Sequence, residues 1–278
     1  MRRPLAAAFA VAAACALPAG AATHAQLVTH GPRSERLVAL TFDADMTQGM
    51  LAALQAGRVA RWYDPAILAE LRATRTPATI FLTGLWAETY PRLARRLARD
   101  RLVEVENHSY DHAGWEEPCY GLPGARTVAE KRAEVLRGAV AVAAVTGIAT
   151  RYFRFPGGCQ RPADLRLVSG LGERPVQWDV VSGDSYLRDP AAVEEQVLSQ
   201  TRPGSIVVMH LVGAPNAPAT AAALRAVVPQ LRARGFRFVE LERLLRGPRA
   251  PRAASGSTRL RAARGRAGAA SPRRRGPG

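Results

Sequence analysis

Seven short runs rich in β-branched and aromatic residues, alternating with longer alanine- and arginine-rich stretches, constrain this chain more than any other feature. The runs lie at 37–42, 78–82, 102–105, 152–155, 176–180, 205–209 and 237–239, and their length and composition predict strands. The stretches at 65–74, 90–100, 127–145, 162–170, 190–200 and 220–235 have helical character. A helix between two strands returns the chain to the end at which it started, so the strands of such a series run parallel. The expected class is therefore α/β, with about seven parallel strands curling into a distorted (β/α) barrel. Pro65, Pro162 and Pro190 stand where a first helical turn tolerates proline, and Asp64 and Asp189 precede two of them as caps.

The two ends of the chain differ from its middle. Arg2 and Arg3 precede an apolar alanine-rich run at 5–17, followed by Pro18, Gly20 and small residues to Ala25, which is the layout of a secretory signal peptide over 1–25. The expected product begins near Gln26, with a lead-in over 26–35, and is secreted or periplasmic. Export favours disulfides, which makes Cys119 and Cys159 the candidate pair; two free thiols are the alternative. The formal charge of +16 is concentrated at the ends: 246–278 holds ten arginines and no acid, and with Arg2 and Arg3 set aside the remainder carries only +4. A segment of Gly, Pro, Ala, Ser and Arg without apolar periodicity cannot offset its ordering entropy, so this basic tail is expected to be disordered. Its two readings are attachment to an anionic envelope polymer or no partner at all; an exported chain is not expected to meet nucleic acid.

Polar residues gather at the ends of the strand runs. Asp43 and Asp45 follow the first, His108 and His112 the third, Arg154 to Gly158 the fourth, Asp179 and Asp184 the fifth, and His210 the sixth. A parallel sheet brings such ends to one face, where α/β folds place their chemistry. Two imidazoles, carboxylates and a further histidine are the inventory of a metal-assisted hydrolase: ligands for the ion, a base, and an acid for the leaving group.

In this order the segments resemble the polysaccharide deacetylases of NodB-homology type, the family four carbohydrate esterases, over a catalytic domain at 36–245. The first motif is similar to Thr41-Phe42-Asp43-Ala44-Asp45, the second to His108-Ser109-Tyr110-Asp111-His112, and the third to Arg154-Phe155-Pro156-Gly157-Gly158. Residues 178–184 and 206–210 are similar to the last two motifs. The resemblance implies a hydrolase of carbon–nitrogen bonds other than peptide bonds, releasing acetyl groups from N-acetylated or O-acetylated polysaccharide. It implies that His108 and His112 hold a divalent ion, most often zinc, that Asp43 is the general base oriented by Arg154, and that the Gly157 amide meets the oxyanion. His210 is then the general acid, held by Asp184.

This chain departs from the family pattern at Ala44, where the metal-binding Asp is usual; Asp45 offers a carboxylate one place later, and two histidines with water are the alternative. A second reading follows, in which a catalytically weakened relative serves as a glycan-binding protein. Trp115, in the loop after the histidine motif, is the expected sugar-stacking ring, while Glu116 and Glu117 are expected to face solvent.

Overall fold

Strand formation is governed here by burial on both faces. The computed structural model describes residues 26–247 together with Gly276, so the expected leader at 1–25 and the expected tail beyond Gly247, Gly276 apart, lie outside the described residues. The described strands are β1 (Leu37–Ala44), β2 (Ala78–Leu82), β3 (Val103–Asn107), β4 (Tyr152–Phe153), β5 (Arg174–Pro175), β6 (Val180–Val181), β7 (Ser205–His210) and β8 (Arg237–Phe238). They pair in the order β5, β4, β3, β2, β1, β7, β6, with β8 also on β1, and every pairing is parallel. All eight residues of β1 are buried, which is why this strand reads as a continuous apolar run rather than an alternating one.

The helices are α1 (Gln48–Gln55), α2 (Pro65–Ala73), α3 (Gly84–Thr89), α4 (Pro91–Arg99), α5 (Val128–Thr146), α6 (Pro162–Gly170), α7 (Pro190–Gln200), α8 (Thr220–Ala233) and α9 (Leu241–Leu245). Asp64 and Asp189 cap α2 and α7 through the amides of Ala66 and Ala191 at 2.8 and 3.0 Å. The long α5 begins in a capping box of Thr127 and Glu130 and ends at Gly147 in the left-handed conformation, φ 78°. Among the described residues no helix is long and apolar enough to cross a membrane.

The expected strand at 176–180 divides. β5 and β6 lie on either side of it at opposite ends of the sheet and do not pair with one another, so the barrel is distorted and open there. The crossing residues bond elsewhere: the Gln177 amide donates to the Val28 carbonyl at 2.7 Å, and the Asp179 carboxylate accepts from the Ile206 amide at 2.8 Å. The lead-in bridges the same region, Val28 to Val176 and His30 to Ser205. Helices α1, α3 and α9 were not expected; the first is eight residues long and only partly buries Met50, Leu51, Ala53 and Leu54 against the core, so its apolar pattern is short. At the C-terminal boundary, Arg246 caps α9 and pairs with Glu242 at 2.6 Å, so the domain extends into what composition alone assigns to the tail.

Candidate active site

Asp43 and Asp45 stand two residues apart at the end of β1, and extended backbone places i and i+2 on one face. Ala44 between them is fully buried in the core, so the carboxylate that joins Asp43 is the one after it. Register sets Asp43 beside His210 of β7. From the end of β4 comes Arg154, with no exposed surface, whose Nη1 donates to Asp43 Oδ1 at 2.7 Å and to Thr41 Oγ1 at 2.8 Å. Its guanidinium lies over the Phe81 ring, 3.9 Å from the centroid. Burial pulls the Arg154 pKa down and the neighbouring Asp43 opposes it.

The histidines follow β3 on a turn rather than on a helix. Ser109 and His112 have positive φ, 72° and 62°, a conformation that costs a non-glycine residue about 1–2 kcal/mol. Surrounding bonds hold it there. Asn107 Oδ1 accepts from the Ser109 amide at 3.0 Å, Ser109 Oγ from the His112 amide at 3.1 Å, and Glu134 of α5 from the amides of Tyr110 and Asp111 at 3.0 and 3.2 Å. Gly138 of α5 lets the turn approach, since a Cβ there would lie 2.4 Å from Asn107 Oδ1.

His108 Nδ1 lies 3.0 Å from the Arg154 carbonyl, which only accepts, so the proton sits on Nδ1 and Nε2 presents a lone pair. That lone pair is 3.3 Å from Asp45 Oδ1 and 3.6 Å from Asp43 Oδ2, and His112 Nε2 is 3.4 Å from Asp45 Oδ1. Both His108 Nε2 and Asp45 Oδ1 are buried without a hydrogen-bond partner. One ligand atom each from Asp45, His108 and His112 lies within 4.8 Å of the others. Two buried acceptors facing one another need a proton or a metal ion between them, and the donor set fits a divalent metal. Protonation agrees: burial pushes His112 down to about 4 against the pull of Asp45, so it is neutral near pH 7. For Asp45, burial works upward, but the neighbouring His112 and His108 hold its pKa well below the carboxylate range.

Across the site, His210 Nδ1 and Asp184 Oδ1 are 2.7 Å apart. Asp184 is buried and also accepts from the His210 amide at 2.8 Å, Thr220 Oγ1 at 2.7 Å and Ser182 Oγ at 3.0 Å. Burial works to lower the His210 pKa, but the charge and hydrogen bond of Asp184 prevail, with Asp45 and Asp43 adding to them, and raise it to about 10. The imidazolium is thus held ready to donate.

The remaining expected residues separate. Gly157, φ 61°, sits in a tight turn three residues after Arg154, and a disulfide joins Cys119 to Cys159 beside it. Trp115 is not a sugar platform: it is 3% exposed, with its ring 5.5 and 5.0 Å from those of Phe153 and Phe155. Three aromatic rings bury more apolar surface together than any one gains by facing water. Glu116 is likewise turned inward, paired with Arg161 and 3.6 Å from Lys131, while Glu117 is exposed and pairs with Arg126. Asp179 serves the backbone and Arg33 rather than the site.

A family model described as polysaccharide deacetylase matches residues 30–176, more than half of the chain. The chain belongs to the polysaccharide deacetylase family. It is a hydrolase of carbon–nitrogen bonds other than peptide bonds. A chitooligosaccharide deacetylase of Azorhizobium caulinodans is 34% identical over 188 residues, covering 62% of this chain and 83% of that one. A peptidoglycan-N-acetylglucosamine deacetylase of Bacillus cereus is 27% identical over 215 residues, covering 76% and 69%. The crystal structure of the Bc1960 peptidoglycan N-acetylglucosamine deacetylase with a hydroxamate-type ligand superposes with a TM-score of 0.67 at 25% identity, covering 80% of this chain and 94% of that one. Within this deacetylase, Asp184 and His210 lie beyond the matched span and are joined to the rest of the site by the sheet itself.

Sequence reasoning missed Asn107, Glu134 and Gly138, which shape the histidine turn. The available signal was an acid four residues before a glycine on the face of α5 that packs on β3, and it is legible only once that face is known.

Proposed function

We propose that this polysaccharide deacetylase is an exported, zinc-dependent enzyme that removes acetyl groups from an N-acetylated envelope or extracellular glycan. The observation that carries the reading is the pair of buried, unpartnered acceptors, His108 Nε2 and Asp45 Oδ1, 3.3 Å apart beside the Asp43–Arg154 pair. Two imidazoles and a carboxylate are a zinc-type donor set, supplied by His108, His112 and Asp45. Bound there, the ion supplies a Lewis acid for the acetamide carbonyl and a lowered pKa, about 7, for water.

The chain's own groups do the rest. Arg154 occupies Asp43 Oδ1, which leaves Oδ2 to take the proton of the attacking water. The Gly157 amide is the assigned donor to the developing oxyanion. His210 delivers its proton from Nε2 to the departing amine while Asp184 holds Nδ1, so acetate and a free amine leave. An N-acetylglucosamine-containing substrate is supported by the named substrates of the two curated relatives, chitooligosaccharide and peptidoglycan. Retention of Asp43, Arg154, Asp184 and His210 in bonded pairs favours catalysis over simple glycan binding.

The test is elemental analysis of the purified protein together with acetate release from chitooligosaccharides and peptidoglycan, before and after chelation and zinc return. Stoichiometric metal and chelator-sensitive release are expected; release that survives complete metal removal overturns the zinc role, and no release from any acetylated glycan overturns the enzyme. Export predicts a mature N-terminus near Gln26 by mass spectrometry. The arginine-rich tail is assigned to retention on anionic envelope polymer, so deleting 248–278, which removes nine arginines, should weaken retention, and added salt should weaken it in the intact chain.

A further inference from the structure

The loop between the histidine turn and α5 carries a ring that folding does not explain. Its neck is closed by bonds from the Gly114 amide to the Pro123 carbonyl at 2.7 Å and from the Ala125 amide to the Gly114 carbonyl at 2.9 Å. Its tip is tied through Cys119 to Cys159, in the segment that follows Arg154. The Leu122 amide bonds to the Cys119 carbonyl at 2.9 Å, and the two residues inside that turn, Tyr120 and Gly121, both have positive φ, 50° and 72°. Glycine suits such a position and tyrosine does not.

Tyr120 is nonetheless 87% exposed, whereas Trp115 from the same loop is buried. A strained backbone presenting a bulky ring to water gains nothing for stability, and such strain persists only where the surroundings over-determine it. The disulfide and the loop neck do so here. The ring is also aimed at a particular place: its Cδ2 lies 3.1 Å from where a Cβ on Gly157 would stand, so the glycine leaves room for the ring against the backbone assigned to the oxyanion. An exposed aromatic face beside the Gly157 turn offers a flat apolar surface to the C–H face of a pyranose ring, at the cost of ordering only two side-chain torsions.

We propose that Tyr120, held in place by the Cys119–Cys159 bridge, is the stacking platform for a sugar ring of the acetylated glycan and sets the preference for glycan over small acetyl compounds. This rests on the deacetylase reading above. The experiment measures kcat/KM for N-acetylated chitotetraose and for 4-nitrophenyl acetate in the unaltered enzyme, Tyr120→Ala, Tyr120→Phe and the double variant Cys119→Ser/Cys159→Ser. It also measures chitotetraose binding by calorimetry in an Asp43→Asn background. Aromatic contacts of this kind are worth about three- to tenfold. The preference for the tetrasaccharide over the ester should fall by about that factor in Tyr120→Ala, with weaker binding to match. It should be restored in Tyr120→Phe and fall in the cysteine variant, whose loop no longer holds the ring. A Tyr120→Ala protein with unchanged preference and unchanged binding overturns the platform, as does a Phe variant no better than Ala. Binding that depends on Tyr120 in a protein that releases no acetate would instead leave the platform standing and sink the deacetylase reading.

Discussion

Two groups of buried carboxylates are held by this sheet and end in opposite states. At the catalytic end, Asp45 and Asp184 are 8% and 1% exposed, and both have pKa values below the usual range despite burial, because His112 and His210 face them. On the β3–β4 side, Glu106 and Glu173 are 2% and 7% exposed, and burial pushes them up to about 8 and about 7. Their hydrogen bonds come from neutral donors: the amides of Arg151 and Tyr152 to Glu106 at 2.7 and 2.9 Å, and the Thr150 hydroxyl and Asn107 amide to Glu173. Burial is common to both groups, and the facing groups decide the charge: imidazoles at one end, neutral amides and a hydroxyl at the other. The first group is arranged to keep charge for chemistry; the second uses neutral donors to tie β3 to the two-residue strand that delivers Arg154.

Removing the groups that face these carboxylates should give the largest effects. His108→Ala takes away a lone pair that Asp45 alone cannot replace. Even outer partners of metal ligands are worth 10–100-fold, so acetate release should fall on the order of a thousandfold or more, with lost metal occupancy. Full zinc content by elemental analysis would contradict the ligand assignment.

Arg154→Met places Asp43 in the situation of Glu106 without giving it neutral donors. Breaking a buried pair typically costs about 3–5 kcal/mol. Urea unfolding should show a loss of that order along with lost turnover. A variant of unaltered stability would mean that Thr41 and the surrounding backbone already satisfy Asp43.

Asp184→Asn removes the charge that opposes burial at His210. In the metal-free protein, NMR titration should find His210 near pH 10 in the unaltered chain and several units lower in the variant. A raised folded-state pKa gives stability that is complete below the unfolded value, about 6.5, and is lost as pH rises through about 10. The stability gap between the two proteins should therefore narrow over that interval. Equal His210 titrations would remove Asp184 as the cause.

The smallest effect belongs to the neutral-donor group. Glu106 titrates near 8 in the folded chain, above its ordinary 4.5, so its contribution is complete below 4.5 and declines as pH rises through 8. Glu106→Gln keeps an acceptor for both amides and cannot ionise. It should be close to the unaltered protein in stability at pH 5 and clearly the more stable at pH 9. Identical pH dependence in both proteins would show that Glu106 is not held protonated.

The amino-acid sequence determined the parallel α/β order, because short apolar runs followed by capped helical stretches are local signals; β2 and helices α6 and α7 appear at their expected bounds. It also determined the inventory of the site, since Asp43, His108, Arg154 and His210 each stand at or directly after a strand end. Tertiary structure alone decided how those pieces meet. The division of 176–180 depended on the lead-in and β7 accepting its backbone, and the placement of Asp45 rather than Ala44 opposite the histidines depended on the pleat at the end of β1. Nothing in the composition of the 113–126 loop tells Trp115 from Tyr120; contact with Phe153 and Phe155 buries the first, and the tie to Cys159 exposes the second. Propensity and capping act over a few residues, whereas burial, register and charge state are set by neighbours far away in the chain.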